Sequence, residues 1–290
     1  MDKKIILVTG ASDGIGRETA TTLAGMGHTV IVHGRDKSKT QAVVEEIRRQ
    51  TMGASVDMAI ANLLSMKDTK RMAEEISAKY DHLDVLINNA GAVFTTERQL
   101  TEDGEEHTFQ LNVFAPFLLT HLLMPLLRKS ASGRVVFEAS AAHTQARKPD
   151  FTDMHCEKVY SAQGNYNLSK LYAIWVAKHF AAELQKQGIG NVTVNATHPG
   201  MVGTKFGQNE KKGFWVDMIY KWTLKLGMMS SVADGARSEI YLATSPEVEG
   251  VTGKFYSNKC REAQPSQKHY SPENEQAIWD YCMKVCEKYI

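Results

Sequence analysis

The sequence predicts a doubly wound α/β fold, a single domain around a mostly parallel sheet, and three observations carry that expectation. A continuous aliphatic run, Ile5-Ile6-Leu7-Val8, opens the chain in the manner of a strand buried on both faces. It leads directly into a glycine turn, Thr9-Gly10-Ala11-Ser12-Asp13-Gly14-Ile15-Gly16, and then into a helical pattern. Strand-like and helix-like stretches alternate from there, the order that lays parallel strands beside one another with helices on both faces. At 290 residues the chain can bury a full core.

Composition excludes several partners. Lys+Arg 34 against Asp+Glu 33 leaves a formal charge of +1, with no basic block to track a phosphate backbone, so nucleic acid is not an expected partner. Cys156, Cys260, Cys282 and Cys286 lack the paired spacing of a zinc site and read as free thiols in a reducing compartment; no metal is expected. The chain enters its first strand without a signal-peptide pattern and has no run of about 18 apolar residues, so a cytoplasmic protein is the expectation.

In order, the first strand, glycine turn and helix bring free helix-N-terminal N–H groups toward a pyrophosphate. Gly10 permits the tight turn, Gly14 the close approach and Gly16 the packing of helix on strand; Ser12, Asp13 and Ile15 complete the expected cofactor-binding segment. An ordinary glycine-rich turn is the competing reading, and the flanking strand and helix argue against it. Residues 29–33 form the second strand. It ends in His33-Gly34-Arg35 where an acidic residue would bind a ribose 2′-hydroxyl, and an arginine there suits a 2′-phosphate. NADP(H) is therefore preferred over NAD(H). Arg17 is either a second cation for that phosphate or a helix-surface residue.

A helix over 37–50, a strand over 54–61 and a helix over 65–80 follow, then a strand over 84–87 ending in Asn88-Asn89-Ala90-Gly91, turn chemistry at a ligand-binding edge. A long helix over 101–129 contains Asn112, and Pro116 and Pro125 predict a kink or break in it. A strand over 134–139 delivers Ser140 to the same edge. Residues 141–165 read as a loop on the substrate side, overlapping the start of a helix over 159–187. On that helix Tyr166 and Lys170, four apart, point the same way, so the ammonium is expected to lower the phenol pKa toward the range of an acid–base catalyst. An interface tyrosine beside a solvated lysine is the alternative. A strand over 192–196 and the turn Pro199-Gly200 come next, and then an apolar stretch near 203–231. That stretch reads as a lid over a hydrophobic carbonyl compound; a membrane-surface helix through 205–229 and a partner interface stay open. A helix over 232–242, a strand over 253–256 and a terminal helix over 272–289, of unassigned docking, end the chain.

With the glycine turn, the Asn-Asn-Ala-Gly run and the Tyr-x-x-x-Lys helix in this order, residues from about 4 to 256 resemble the short-chain dehydrogenase/reductase family, classical type. Ala139-Ser140-Ala141-Ala142-His143, His198-Pro199-Gly200-Met201-Val202, Tyr256-Ser257-Asn258-Lys259-Cys260 and Trp279 make it most similar to the group of retinol dehydrogenases and the WW-domain oxidoreductase. The resemblance implies a Rossmann domain and a catalytic set of Asn112, Ser140, Tyr166 and Lys170. In that set Ser140 binds the substrate carbonyl, Tyr166 donates the proton, Lys170 also holds the nicotinamide ribose, and Asn112 holds a water linked to Lys170. It implies further that Asn62 and Leu63 lie near the adenine, and that Asn89, Ala90 and Gly91 line the cofactor crevice. Pro199, Gly200 and Val202 are expected along the nicotinamide, with Thr204 at its carboxamide. The implied reaction is hydride transfer between NADP(H) and a carbonyl or alcohol of a small hydrophobic substrate, retinoid-, steroid- or lipid-like. A catalytically silent NADP-binding scaffold is the rival reading, and a homodimer stays open. Two positions depart from the pattern. Asn62 stands where many relatives carry Asp, and Glu138 places a carboxylate in an expected central strand, which demands either a cation or a more open strand.

Overall fold

Hydrophobic alternation decides the layering. In the computed structural model, which describes residues 3–51, 53–94, 97–200 and 231–290, Ile6 and Val8 face one apolar cluster while Leu7 faces another on the opposite side of the sheet. Seven strands make that sheet: β1 Ile5–Val8, β2 Thr29–Gly34, β3 Val56–Ile60, β4 Val85–Asn88, β5 Gly133–Glu138, β6 Val192–Thr197 and β7 Phe255–Tyr256. They pair in the order β3-β2-β1-β4-β5-β6-β7, and every pairing is parallel. The order reverses between β1 and β4, opening a crevice beyond their carboxyl ends, where sheets of this class bind ligands.

Helices α1 (Gly14–Gly25) and α2 (Lys37–Gln50) cover one face. Helix α3 (Met66–Lys79), the single turn α4 (His107–Phe109), α5 (Ala115–Leu127) and α6 (Ala162–Lys186) cover the other. A further helix, α7 (Val232–Thr244), joins the first layer through Leu242 and Ala243. The terminal helix α8 (Pro272–Cys286) docks on α5 and α6. It buries Ile278, Cys282 and Cys286 there and sets Trp279 edge-on to Phe117 and Phe180, with ring centroids 5.0 and 4.8 Å apart. All four cysteines are free thiols.

The expected long helix over 101–129 is shorter and irregular. Residues 101–106 form a turn containing Gly104 at φ +86°, and Glu106 caps the N–H groups of Thr108 and Phe109. A π-helical turn, Gln110–Phe114, separates α4 from α5. Pro116 has no N–H to offer the Asn112 carbonyl four residues back, so the helix widens here, and such turns recur at functional sites. Pro125, by contrast, sits within α5 without ending it. By composition His107–Leu127 is long and apolar enough to cross a membrane, although polar residues interrupt it short of a run of about 18 apolar residues; it is mostly buried, as in a core helix.

Candidate active site

The glycine turn is held from both sides. Gly10 and Gly14 have φ of +65° and +54°, conformations that side chains rarely adopt. The Asn89 amide donates to the Thr9 carbonyl at 2.7 Å, and the Ala90 N–H donates to the Thr9 hydroxyl at 3.0 Å, so the end of β4 is stitched to the start of the turn. A Cβ on Gly16 would run into the Asn89 amide and lie 2.7 Å from the Gly10 carbonyl oxygen. Asp13 caps α1 by accepting from the Gly14 N–H at 2.8 Å.

His33, unassigned in the sequence reading, latches this turn from β2. Its Nδ1 accepts from the Gly10 N–H at 3.0 Å, so Nε2, 3.1 Å from the Ala61 carbonyl, carries the ring proton. Burial, the largest influence, lowers its pKa to about 4. Next along β2, Gly34 leaves room for Ser12 and Thr40. Arg35 is exposed and forms no ion pair among the described residues. Arg17 is engaged instead with Glu46 at 2.5 Å. A cation that the sequence reading missed, Lys39, pairs with Asp13 at 2.7 Å beside the turn. Asn62 is exposed and accepts from the Leu64 N–H at 3.1 Å, while Leu63 is buried.

At the β5 edge the predicted set converges. The Tyr166 phenol meets Ser140, which favours its ionised form, and the Lys170 ammonium lies 5.7 Å from the centroid of the Tyr166 ring. Lys170 is 3% exposed and donates to the Glu138 carbonyl at 2.8 Å. Gly91 faces it: a Cβ there would lie 3.0 Å from the ammonium and 3.2 Å from Asn112 Oδ1. The Asn112 amide, presented by the π turn, donates to the Ala92 carbonyl and the Ser169 hydroxyl at 3.0 Å, and its oxygen accepts from the Ala92 N–H at 3.0 Å. Its side chain thus ties the β4 loop to α6 beside Lys170.

The phenol pKa differs from expectation. Burial pushes Tyr166 up to about 12; the Ser140 hydrogen bond opposes this, and the Glu138 carboxyl adds to it. The lysine does not reverse the shift, because its ammonium points past the ring to a carbonyl while the phenolate would be formed in a site stripped of water. Lys170 itself is lowered to about 8 by burial, which the Glu138 and Glu239 carboxyls counter.

For Glu138 the strand is closed, and the cation expectation is met only in part: Lys170 lies near enough to favour the ionised carboxyl without a direct ion pair among the described residues, and a second acid, Glu239 of α7, meets it as well. Glu239 lies on the buried face of α7 with Gly235, Ala236, Ser238, Leu242 and Ala243. Helical spacing within 232–242 was the available signal for it.

The expected substrate loop begins as a 3₁₀ turn, Ala141–Gln145, capped by Ser140, and continues irregularly to the start of α6. His143 Nδ1 donates to the Ser140 carbonyl at 2.7 Å while its Nε2 accepts from the Ser266 N–H at 3.1 Å, binding the tail to the site. Gly200, at φ +76°, donates its N–H to His198 Nδ1 at 3.1 Å beside Pro199. Val202, Thr204 and the expected lid up to residue 230 lie outside the described residues.

A family model described as short chain dehydrogenase matches residues 4–214. The chain belongs to the short-chain dehydrogenase family. Within this family of oxidoreductases it falls among proteins like the retinol dehydrogenases. Human polyprenol dehydrogenase is 34% identical over 288 residues, covering 98% of this chain and 84% of that protein. Human retinol dehydrogenase 14 is 32% identical and covers 97% and 85%. The chicken WW domain-containing oxidoreductase is 34% identical, with coverage of 96% and 66%. Among solved structures, a Shigella flexneri 2a short chain dehydrogenase complexed with NADP superposes with a TM-score of 0.70 at 29% identity, covering 89% of this chain and 98% of that one. For this short-chain dehydrogenase, as for the family, the cofactor is a nicotinamide dinucleotide.

Proposed function

We propose that this chain is an NADP(H)-preferring oxidoreductase that interconverts a carbonyl and an alcohol on a small hydrophobic molecule. The observation that carries the reading is the convergence of the Tyr166 phenol and Ser140 at the carboxyl edge of β5, with Lys170 buried 5.7 Å from the phenol ring. The residues fit a dinucleotide: Gly10 and Gly14 are in left-handed backbone, the space behind Gly16 is closed by Asn89, and α1 begins directly after the turn, where helix N-terminal N–H groups favour an anion. Gly10, Ser12, Asp13, Gly14, Ile15 and Gly16 would hold the pyrophosphate, Asn62 and Leu63 the adenine side, and Asn89, Ala90, Gly91, Pro199, Gly200 and Lys170 the nicotinamide half. When bound, the nicotinamide supplies or accepts the hydride.

The side chains supply the rest. With its pKa near 12 Tyr166 carries its proton at neutral pH, so it serves as the acid that protonates a substrate oxygen in reduction. Ser140 aims a hydroxyl at the same oxygen, where negative charge develops. Lys170, as an ammonium, favours the phenolate left behind, and Asn112 braces the Gly91 loop against it. The preference for NADP(H) is supported by exposed Arg35 with Lys39 one helical turn onward, and by neighbours solved with NADP or NADPH. Relatives named for retinol and polyprenol support an apolar substrate.

The test is consumption of NADPH and NADH by purified protein with a panel of aliphatic, aromatic and isoprenoid aldehydes and ketones. Turnover of an apolar carbonyl, faster with NADPH, is expected. Binding of NADPH without consumption across the panel would overturn the reading in favour of a silent scaffold.

A further inference from the structure

Glu138 and Glu239 are separated by the α6 segment and β6 in sequence, yet their carboxyls meet under the catalytic edge. Glu138 shares the Val136 face of β5, toward α1 and α7, and Glu239 approaches from α7 with the Thr19 hydroxyl of α1 donating to its Oε2 at 2.5 Å. Both side chains are buried, at 7% and 0% exposure. Glu138 Oε1 and Oε2 and Glu239 Oε1 meet no N–H or O–H donor among the described residues. Two ionised carboxylates cannot be kept together in such a place, whereas one proton between them supplies the missing donor. Lys170 poses the complementary problem: it is a buried amine that donates to the neutral Glu138 carbonyl, so its charge also needs a partner.

We propose that Glu138 and Glu239 hold one proton between them, and that the single negative charge left on the pair is the buried counter-charge that keeps Lys170 an ammonium. The three groups then form a neutral unit, one positive and one negative charge, in the interior. The pair consists of positioning residues that act through Lys170, and the inference rests on the reading of Lys170 as part of the active site. The groups that face the unit are Lys170 and Tyr166 from α6, Glu138 from β5, Glu239 from α7, the Thr19 hydroxyl from α1 and Asn112 Oδ1 from the π turn. The shifts agree in direction: burial and Glu239 raise Glu138 well above the carboxylate range, burial raises Glu239 to about 7, and both acids oppose the lowering of Lys170.

Infrared difference spectroscopy needs no turnover and so tests the pair even in a silent protein. Wild type at neutral pH should show a protonated-carboxyl band that both Glu138→Gln and Glu239→Gln lose, because an amide donor replaces the shared proton and leaves the other acid ionised. If wild type and the single variants show the same carboxyl spectrum, the shared proton does not exist. The kinetic arm uses the double variant Glu138→Gln/Glu239→Gln, which has no counter-charge. Its alkaline limb of kcat should move to lower pH and its rate near neutrality should fall about tenfold or more, with restoration of either glutamate rescuing most of the loss. A double variant with the wild-type pH profile would overturn the proposal.

Discussion

The Asn89 amide donates to the Thr9 carbonyl at 2.7 Å and occupies the space that a methyl group on Gly16 would need. One side chain at the end of β4 therefore sets both the shape of the turn after β1 and the identity of a residue in the helix beyond it. Gly16→Ala must displace that amide and crowd the Gly10 carbonyl, both fixed by neighbouring strands. Overpacking of this kind costs about 1–3 kcal/mol. The expected outcome is a lower urea midpoint and a loss of NADPH affinity of about tenfold or more, checked by unfolding and fluorescence titration. Unchanged affinity would separate the turn from the cofactor.

Removing the phenol oxygen takes away the acid and leaves the cradle. Tyr166→Phe should reduce kcat by roughly 10²–10⁴-fold and change the NADPH Kd by less than about threefold. Steady-state rates alongside equilibrium binding decide this, and substantial retained turnover would place the acid elsewhere.

Arg35 stands exposed at the end of β2, where a 2′-phosphate would lie. Charge-assisted bonds to a phosphate are worth about 1.5–3 kcal/mol, so Arg35→Asp should weaken NADPH by roughly 10–100-fold and leave NADH within a few-fold. Parallel Kd measurements with the two cofactors test it, and an unaltered ratio would transfer the preference to other residues.

His33 makes the glycine turn sensitive to acid. Its folded pKa is lowered to about 4 from 6.5, so between those values the unfolded chain binds a proton that the folded chain refuses. Stability from this group is therefore complete above pH 6.5 and is lost as pH falls toward 4, by roughly 3 kcal/mol in all. Protonated Nδ1 would also confront the Gly10 N–H with a second donor. Unfolding of wild type and His33→Asn at pH 7 and pH 4.5 isolates the effect, since the variant should lose this part of the acid destabilisation. Parallel pH curves for the two proteins would show that His33 does not carry it.

The sequence by itself determined the order of strands and helices, the glycine turn and the common direction of Tyr166 and Lys170, because these depend on residues within one or two helical turns or one strand. It also placed Ser140 at a strand end and Arg35 beyond β2. Tertiary structure alone decided what surrounds those groups. The docking of α8 against Phe117 and Phe180, the latch from His33 to Gly10 and the meeting of Glu138 with Glu239 all join residues remote in the chain. The raised phenol pKa belongs with them, since desolvation is set by how the layers close over a group, and no local spacing records that closure.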